Sequence, residues 1–194
     1  MKKTENLVKD TLEDFERRVQ DRKSFDNQWQ LNMNFYMGNQ YCEVGFGNSV
    51  RDVDRQYFWQ EREVYNHISP ILDLRLSKLS KIKPKMRVVP SSSDESDIYT
   101  AKVGKKILDS VSHKFNLLAK INQATKWSEI CGTSFYKVTW NPDLGQVLAI
   151  EDDGRKIKSG DVDICVCSPF EIYPDSATRE NLQDCESIIH AKAY

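Results

Sequence analysis

Cysteine, histidine and clustered cations are the residues of this chain whose types could do chemistry. Its cysteines are Cys42, Cys131, Cys165, Cys167 and Cys185. Cys165 and Cys167 form C-x-C, and on a strand both side chains point to one face, where a metal could sit. A structural zinc site takes about four ligands, and only Cys185 and His190 lie near enough in sequence to complete one. The simpler expectation is small apolar residues in a half-buried sheet, with all cysteines as free thiols and no metal or cofactor.

The histidines are His67, His113 and His190. None stands in an H-E-x-x-H pattern or beside paired carboxylates, so no catalytic residue is assigned. Asp152-Asp153-Gly154 resembles the start of a calcium loop but lacks the spaced ligands and the glutamate at the twelfth position. Gly45-Phe46-Gly47 lacks the strand–turn–helix setting of a phosphate loop.

Two clusters remain. Arg75, Lys78, Lys81, Lys83, Lys85 and Arg87 are opposed only by Asp73. They form a candidate contact for DNA or an acidic partner, against the plainer alternative of a solvated helix face. Phe35, Tyr36, Tyr41, Phe46, Tyr57, Phe58 and Trp59 could stack bases. Such a set more often packs a loop or meets a neighbouring subunit. Tyr41, Phe46, Tyr57, Phe58 and Trp59 are the candidate subunit contacts.

The totals bound what these residues can serve. The chain has 194 residues, 39% apolar and 29% charged, with a formal net charge of −1. That length supports one large or two small domains with a real core. The composition predicts a soluble, surface-rich protein, and the near-zero charge argues against a generally basic nucleic-acid binder. No apolar run has the length of a membrane span. MKKTENLVKDTLEDF has no apolar stretch behind its lysines, and the expectation is that it is no secretory signal. An odd, irregularly spaced set of cysteines points to a reducing, cytosolic place of synthesis.

The elements are read from periodicity. Sparse apolar residues (Leu7, Leu12, Phe15, Val19, Phe25) thicken into Trp29, Met33, Tyr36 and Met37, predicting a long helix that ends at Gly38. Residues 39–63 read as a loop, with a short helical turn at most. Residues 64–84 predict a helix stopped by Pro84, with Ile68, Leu72, Leu76 and Leu79 on one face. Its Pro70 either follows a Ser69 cap or kinks an earlier start. A third helix spans about 95–113, with a Ser92–Glu95 capping box. Ile98, Ala101, Leu108, Val111 and Phe115 mark its inner face. A fourth spans about 118–131, buries Ile121, Ala124 and Trp127, and ends before Gly132.

From there the period changes to two. FYKVTW (135–140) predicts a strand, Asn141–Gly145 a turn, VLAIE (147–151) its hairpin partner, and DVDICVC (161–167) a third strand. SIIHAKAY (187–194) predicts a last strand pairing within the sheet begun at Phe135. Helices first and strands after them mean an α+β fold: long N-terminal helices, then a mainly antiparallel β-sheet. The expected divisions are 1–63 (long helix and aromatic loop), 64–134 (helical region) and 135–194 (sheet). The last strand has only Lys192 to guard its edge, so the chain is expected to be a fragment with exposed apolar surface around Ile172, Ile188 and Ile189.

Several stretches, taken in order, resemble the portal proteins of tailed bacteriophages, of the short-tailed-phage type. They are WQLNMNFYMGNQY (29–41), VYNHISPILDLRLSKLSKIKPKMRVVPSSSDESDIYTAKV (64–103), WSEICGTSFYKVTWNPDLG (127–145), DVDICVCSPFEIYPDSA (161–177) and QDCESIIHAKAY (183–194). The resemblance covers most of residues 29–194 and is to the outer wing region of a subunit. It implies a homo-oligomeric ring of about a dozen copies at a capsid vertex, built by head-to-tail contacts. Double-stranded DNA passes through such a ring in packaging and ejection. The implied partners are capsid protein, terminase and tail adaptor proteins. The implied place is the virion, after assembly in the bacterial cytoplasm, with no membrane and no enzymatic activity of its own. Stem, clip and crown segments of the family have no counterpart in these residues, so its channel and motor-docking residues do not carry over. The rival expectation is a free-standing DNA- or protein-binding α+β module that uses residues 75–87.

Overall fold

The computed structural model describes residues 2–53, 59–84, 86–151, 154–176 and 181–192, with the side chains of 2–6 left aside. The fold is α+β. Helix α1 is Lys2–Met37, followed by β1 (Cys42–Val44), β2 (Val50–Asp52), α2 (Ile68–Ser80), α3 (Glu95–Lys114) and α4 (Leu117–Cys131). The strands β3 (Phe135–Asn141), β4 (Val147–Ile150), β5 (Lys156–Lys158) and β6 (Asp161–Cys167) come next. A 3-10 turn at Pro169–Glu171, β7 (Ile172–Pro174), a second turn at Leu182–Asp184 and β8 (Ile188–His190) complete the order.

The chain gathers into two compact units. The first comprises 1–75, 127–135 and 167–194, and the second 76–126 and 136–166.

In the first unit α1 ends where expected, because Gly38 takes a φ of +97°, open to glycine at no steric cost. Leu7, Leu12 and Met37 lie exposed. Among the described residues of α1 the buried ones are polar: Arg18, Arg22 and Asn27. Asn27 Nδ2 donates to Asn48 O and Oδ1, which ties α1 to a β1–β2 hairpin in the stretch expected to be a loop. That hairpin is antiparallel with Cys42 opposite Asp52, and Asn48 at φ 50° turns it. Three-residue strands are too short to show an alternation, which is why the period missed them. Asn66 Oδ1 accepts from the amides of Ile68 and Ser69. Asn66 therefore caps α2, rather than Ser69, and Pro70 falls in the first turn, where its missing N–H costs nothing.

In the second unit α3 is followed, after a two-residue link, by residues 117–126 of α4. Asn116 at φ 46° lies between them, and Ala101 of α3 and Ala124 of α4 are buried. The expected capping box is absent. Asp94 holds the N-cap position with no side-chain cap bond. The Ser92 hydroxyl instead accepts from the Asp94 amide and donates to Asp97.

The expected single sheet is also absent. The described strands form separate two-stranded sheets, β1–β2, β3–β6, β4–β5 and β7–β8. VLAIE does not pair with FYKVTW. The Asn141 turn forms, with Asp143 N donating to Asn141 Oδ1 at 2.9 Å, but β4 folds on β5 through Gly154 (φ +84°). The Ser159 amide bonds Gln146 O and extends that ladder. Alternation predicts a strand but not its partner. Lys114 pairs with Asp161 and Lys120 Nζ donates to Ile164 O, fixing β6 to the helices.

Candidate functional site

The basic segment is not one patch. Arg75, in the first unit, is spent on Glu129. Its Nε and one Nη bond the carboxylate oxygens at 2.8 and 3.1 Å. The guanidinium holds the Glu129 carboxyl below its usual range. In the second unit Lys78, Lys81, Lys83 and Arg87 are exposed, and Lys85 lies outside the described residues. Lys83 and Arg87 line a groove of about 750 Å³ with Lys105, His113, Asp109 and Met86. Of the predicted cations, this groove brings together two, and it adds Lys105 from α3.

The aromatic candidates also scatter. Phe46 is fully exposed at the β1–β2 tip. Tyr41 lies under the Arg62 guanidinium, 4.8 Å from ring centre. Trp59 is exposed, and Tyr57 and Phe58 lie outside the described residues. Gly45 and Gly47 belong to the hairpin loop, not to a helix start. Asp152 and Asp153 lie outside the described residues.

Among the described residues there is a buried polar site that the sequence did not announce. Residues 168–174 make a corner between β6 and β7. Pro169 occupies the first position of its 3-10 turn, and Ser168 Oγ caps it by accepting from Phe170 N. A corner this tight leaves carbonyls without a ladder, and in a buried place each needs a donor. Arg22, 4% exposed, supplies them. Its guanidinium donates to Pro169 O at 3.0 Å, to Phe170 O at 3.0 Å and to Ile172 O. Arg18, 5% exposed, donates to Tyr173 O at 3.1 Å, Ser187 O at 2.9 Å and Ser187 Oγ at 2.6 Å.

Each arginine keeps a carboxylate one helical turn away. Asp14 bonds Arg18 Nε at 2.9 Å, and Asp26 lies 2.9 Å from Arg22 Nε. Arg18 and Arg17 lower the Asp14 carboxyl, whereas burial raises that of Asp26 against the pull of Arg22. Rings close the pocket. Tyr173 stacks under Arg22 at 3.7 Å and meets Phe15 edge-on, and Phe170 sits edge-on to Trp29 and Trp127. Asp14, Arg18, Arg22 and Asp26 are spaced by four, a stripe that marks one helix face. That spacing was the available signal.

The same corner gathers donor atoms. One ligand atom each from Cys167, Glu171 and His190 lies within 4.8 Å of the others, with His190 Nε2 3.5 Å from Glu171 Oε2. Of the sequence candidates for a metal, Cys167 and His190 meet here, while Cys165 and Cys185 are outside the group. Glu171 was not among them. No disulfide joins the cysteines. Burial pushes the Cys131 thiol up to about 11.

The final strand is extended and laddered as expected, but its partner is β7, with Ile172 opposite His190 and Pro174 opposite Ile188. It does not join the sheet begun at Phe135. Ile172 is buried rather than exposed, while Ile188 is exposed. No helix among the described residues is long and apolar enough to cross a membrane.

No family model, no curated protein and no solved structure matches this chain.

Proposed function

We propose that this chain is the wing portion of a tailed-phage portal subunit, a structural part of the ring through which DNA is packaged and ejected. The observation that carries the reading is the order of the five resembling segments along residues 29–194. It is supported by where those segments carry turn chemistry: Gly38 after α1, Asn66 at the start of α2, Gly132 after α4, and the Ser168–Pro174 corner. The role is architectural, and no residue is assigned a catalytic part. Expressed from its full reading frame, the subunit forms closed rings of about a dozen copies, seen by native mass spectrometry or electron microscopy. A strictly monomeric full-length protein overturns the proposal.

One observation favours a second reading, a DNA-binding module: Lys83 and Arg87 share their groove with Lys105. Under the portal reading, DNA binding by this chain is weak and vanishes at physiological salt. Binding to a duplex that survives such salt, and is lost in Lys83→Glu with Arg87→Glu, favours the module, because each phosphate contact carries about 0.9 of salt slope.

A further inference from the structure

We propose that Cys167, Glu171 and His190 form a binding site for a zinc ion, independently of any portal role. The three residues come from different elements: the last residue of β6, the end of the 3-10 turn and the last residue of β8. Their ligand atoms lie within 4.8 Å of one another. A tetrahedral zinc with bonds of 2.0–2.3 Å needs its donors roughly 3.5 Å apart, so closure asks for about 1 Å of side-chain adjustment. Glu171 and His190 already stand at 3.5 Å.

The backbone under the donors is fixed from several sides. His190 faces Ile172 across the β7–β8 ladder, and the Ala191 amide bonds Glu171 O at 2.9 Å. Ser168 caps the turn, and Arg22 holds three of the corner carbonyls. A site built on so constrained a turn binds without first ordering it.

The donor set selects the ion. Thiolate and imidazole disfavour magnesium and calcium, which take oxygen ligands. One thiolate and one carboxylate neutralise a divalent cation, so the bound site carries no net charge although the Cys167 residue is only 2% exposed. Zinc binding displaces the thiol proton to solvent. The carboxylate and imidazole keep about a quarter of their surface in water (25% and 27%), which leaves a path for the ion and a fourth position for water. The metal then clips Cys167, the corner and β8 together.

The test uses the reduced full chain, stripped with chelator and titrated with Zn²⁺ and Co²⁺. The expected result is a single equivalent bound, a thiolate-to-cobalt charge-transfer band and a rise in Tm with zinc. Glu171→Gln and His190→Gln each weaken binding at least about tenfold, since loss of even an outer-shell partner costs that much. Cys167→Ser abolishes the band, whereas Cys165→Ser and Cys185→Ser leave it intact. Because Cys167 is buried and its variant can fail to fold, the Glu171 and His190 variants carry the decision. Absence of stoichiometric binding, or binding indifferent to both of those substitutions, overturns the proposal.

Discussion

Two reversals of the chain solve the same problem in opposite ways. The β4–β5 hairpin of the second unit closes on itself. Its ladder bonds, its Gly154 turn and the Ser159–Gln146 bond all lie within about a dozen residues, and Val147, Leu148, Ile150 and Ile157 stay exposed. The Ser168–Pro174 corner of the first unit has few bonds of its own. Its carbonyls are satisfied by two arginines of α1, and its rings pack on that helix. The hairpin therefore rests on local backbone geometry, and the corner on side chains brought from far away. A buried polar joint is expensive to break by one partner, because the carbonyls left behind have neither water nor a donor.

The largest expected effect attacks the corner. Arg22→Ala orphans three carbonyls and leaves Asp26 without its cation, and should destabilise by about 3 kcal/mol or more in urea unfolding. Arg22→Lys keeps the charge but not the fork, and should recover only part of that loss. An Arg22→Ala protein as stable as the parent would erase the distinction between the two reversals. Backbone change should matter more at the second unit's turns. Gly145 sits at φ +91°, and a Cβ there would approach Gly160 O to 2.7 Å. Gly145→Ala should cost about 1–2 kcal/mol by the same measurement. The smallest effect belongs to the hairpin's side chains. Leu148→Lys, on an exposed position of β4, should shift stability by less than about 0.5 kcal/mol. A large loss there would mean that the face is covered in solution.

Helices were legible where apolar residues recur with the helical period and a breaker ends them, as in α3, α4 and the Gly38 terminus of α1. Strands 135–141 and 161–167 were legible from alternation, but their partners were not. Alternation does not select a partner, and the turn at Gly154 joins β4 to β5. The β1–β2 hairpin was too short to carry a period. The corner misled for a different reason. Arg18 and Arg22 look like the solvated face of a charged helix, because burial of an arginine depends on acceptors that sequence distance hides. Glu171 is a single carboxylate among Phe170, Ile172 and Tyr173, and nothing in the sequence sets it beside Cys167 and His190. Of the basic stretch, composition showed the charge but not that Glu129 had claimed Arg75.

The arginine clasp also sets an order of events during synthesis. Arg18 and Arg22 reach acceptors 147 to 169 residues further along the chain. Helix α1 precedes all of these acceptors: those of Arg22 lie at residues 169–172 and those of Arg18 at 173 and 187. Contacts of such separation close late, after the local hairpins have formed. Asp14 and Asp26 lie beside Arg18 and Arg22 on the helix itself, so the ion pairs of α1 are local while its bonds to the corner and to Ser187 span most of the first unit.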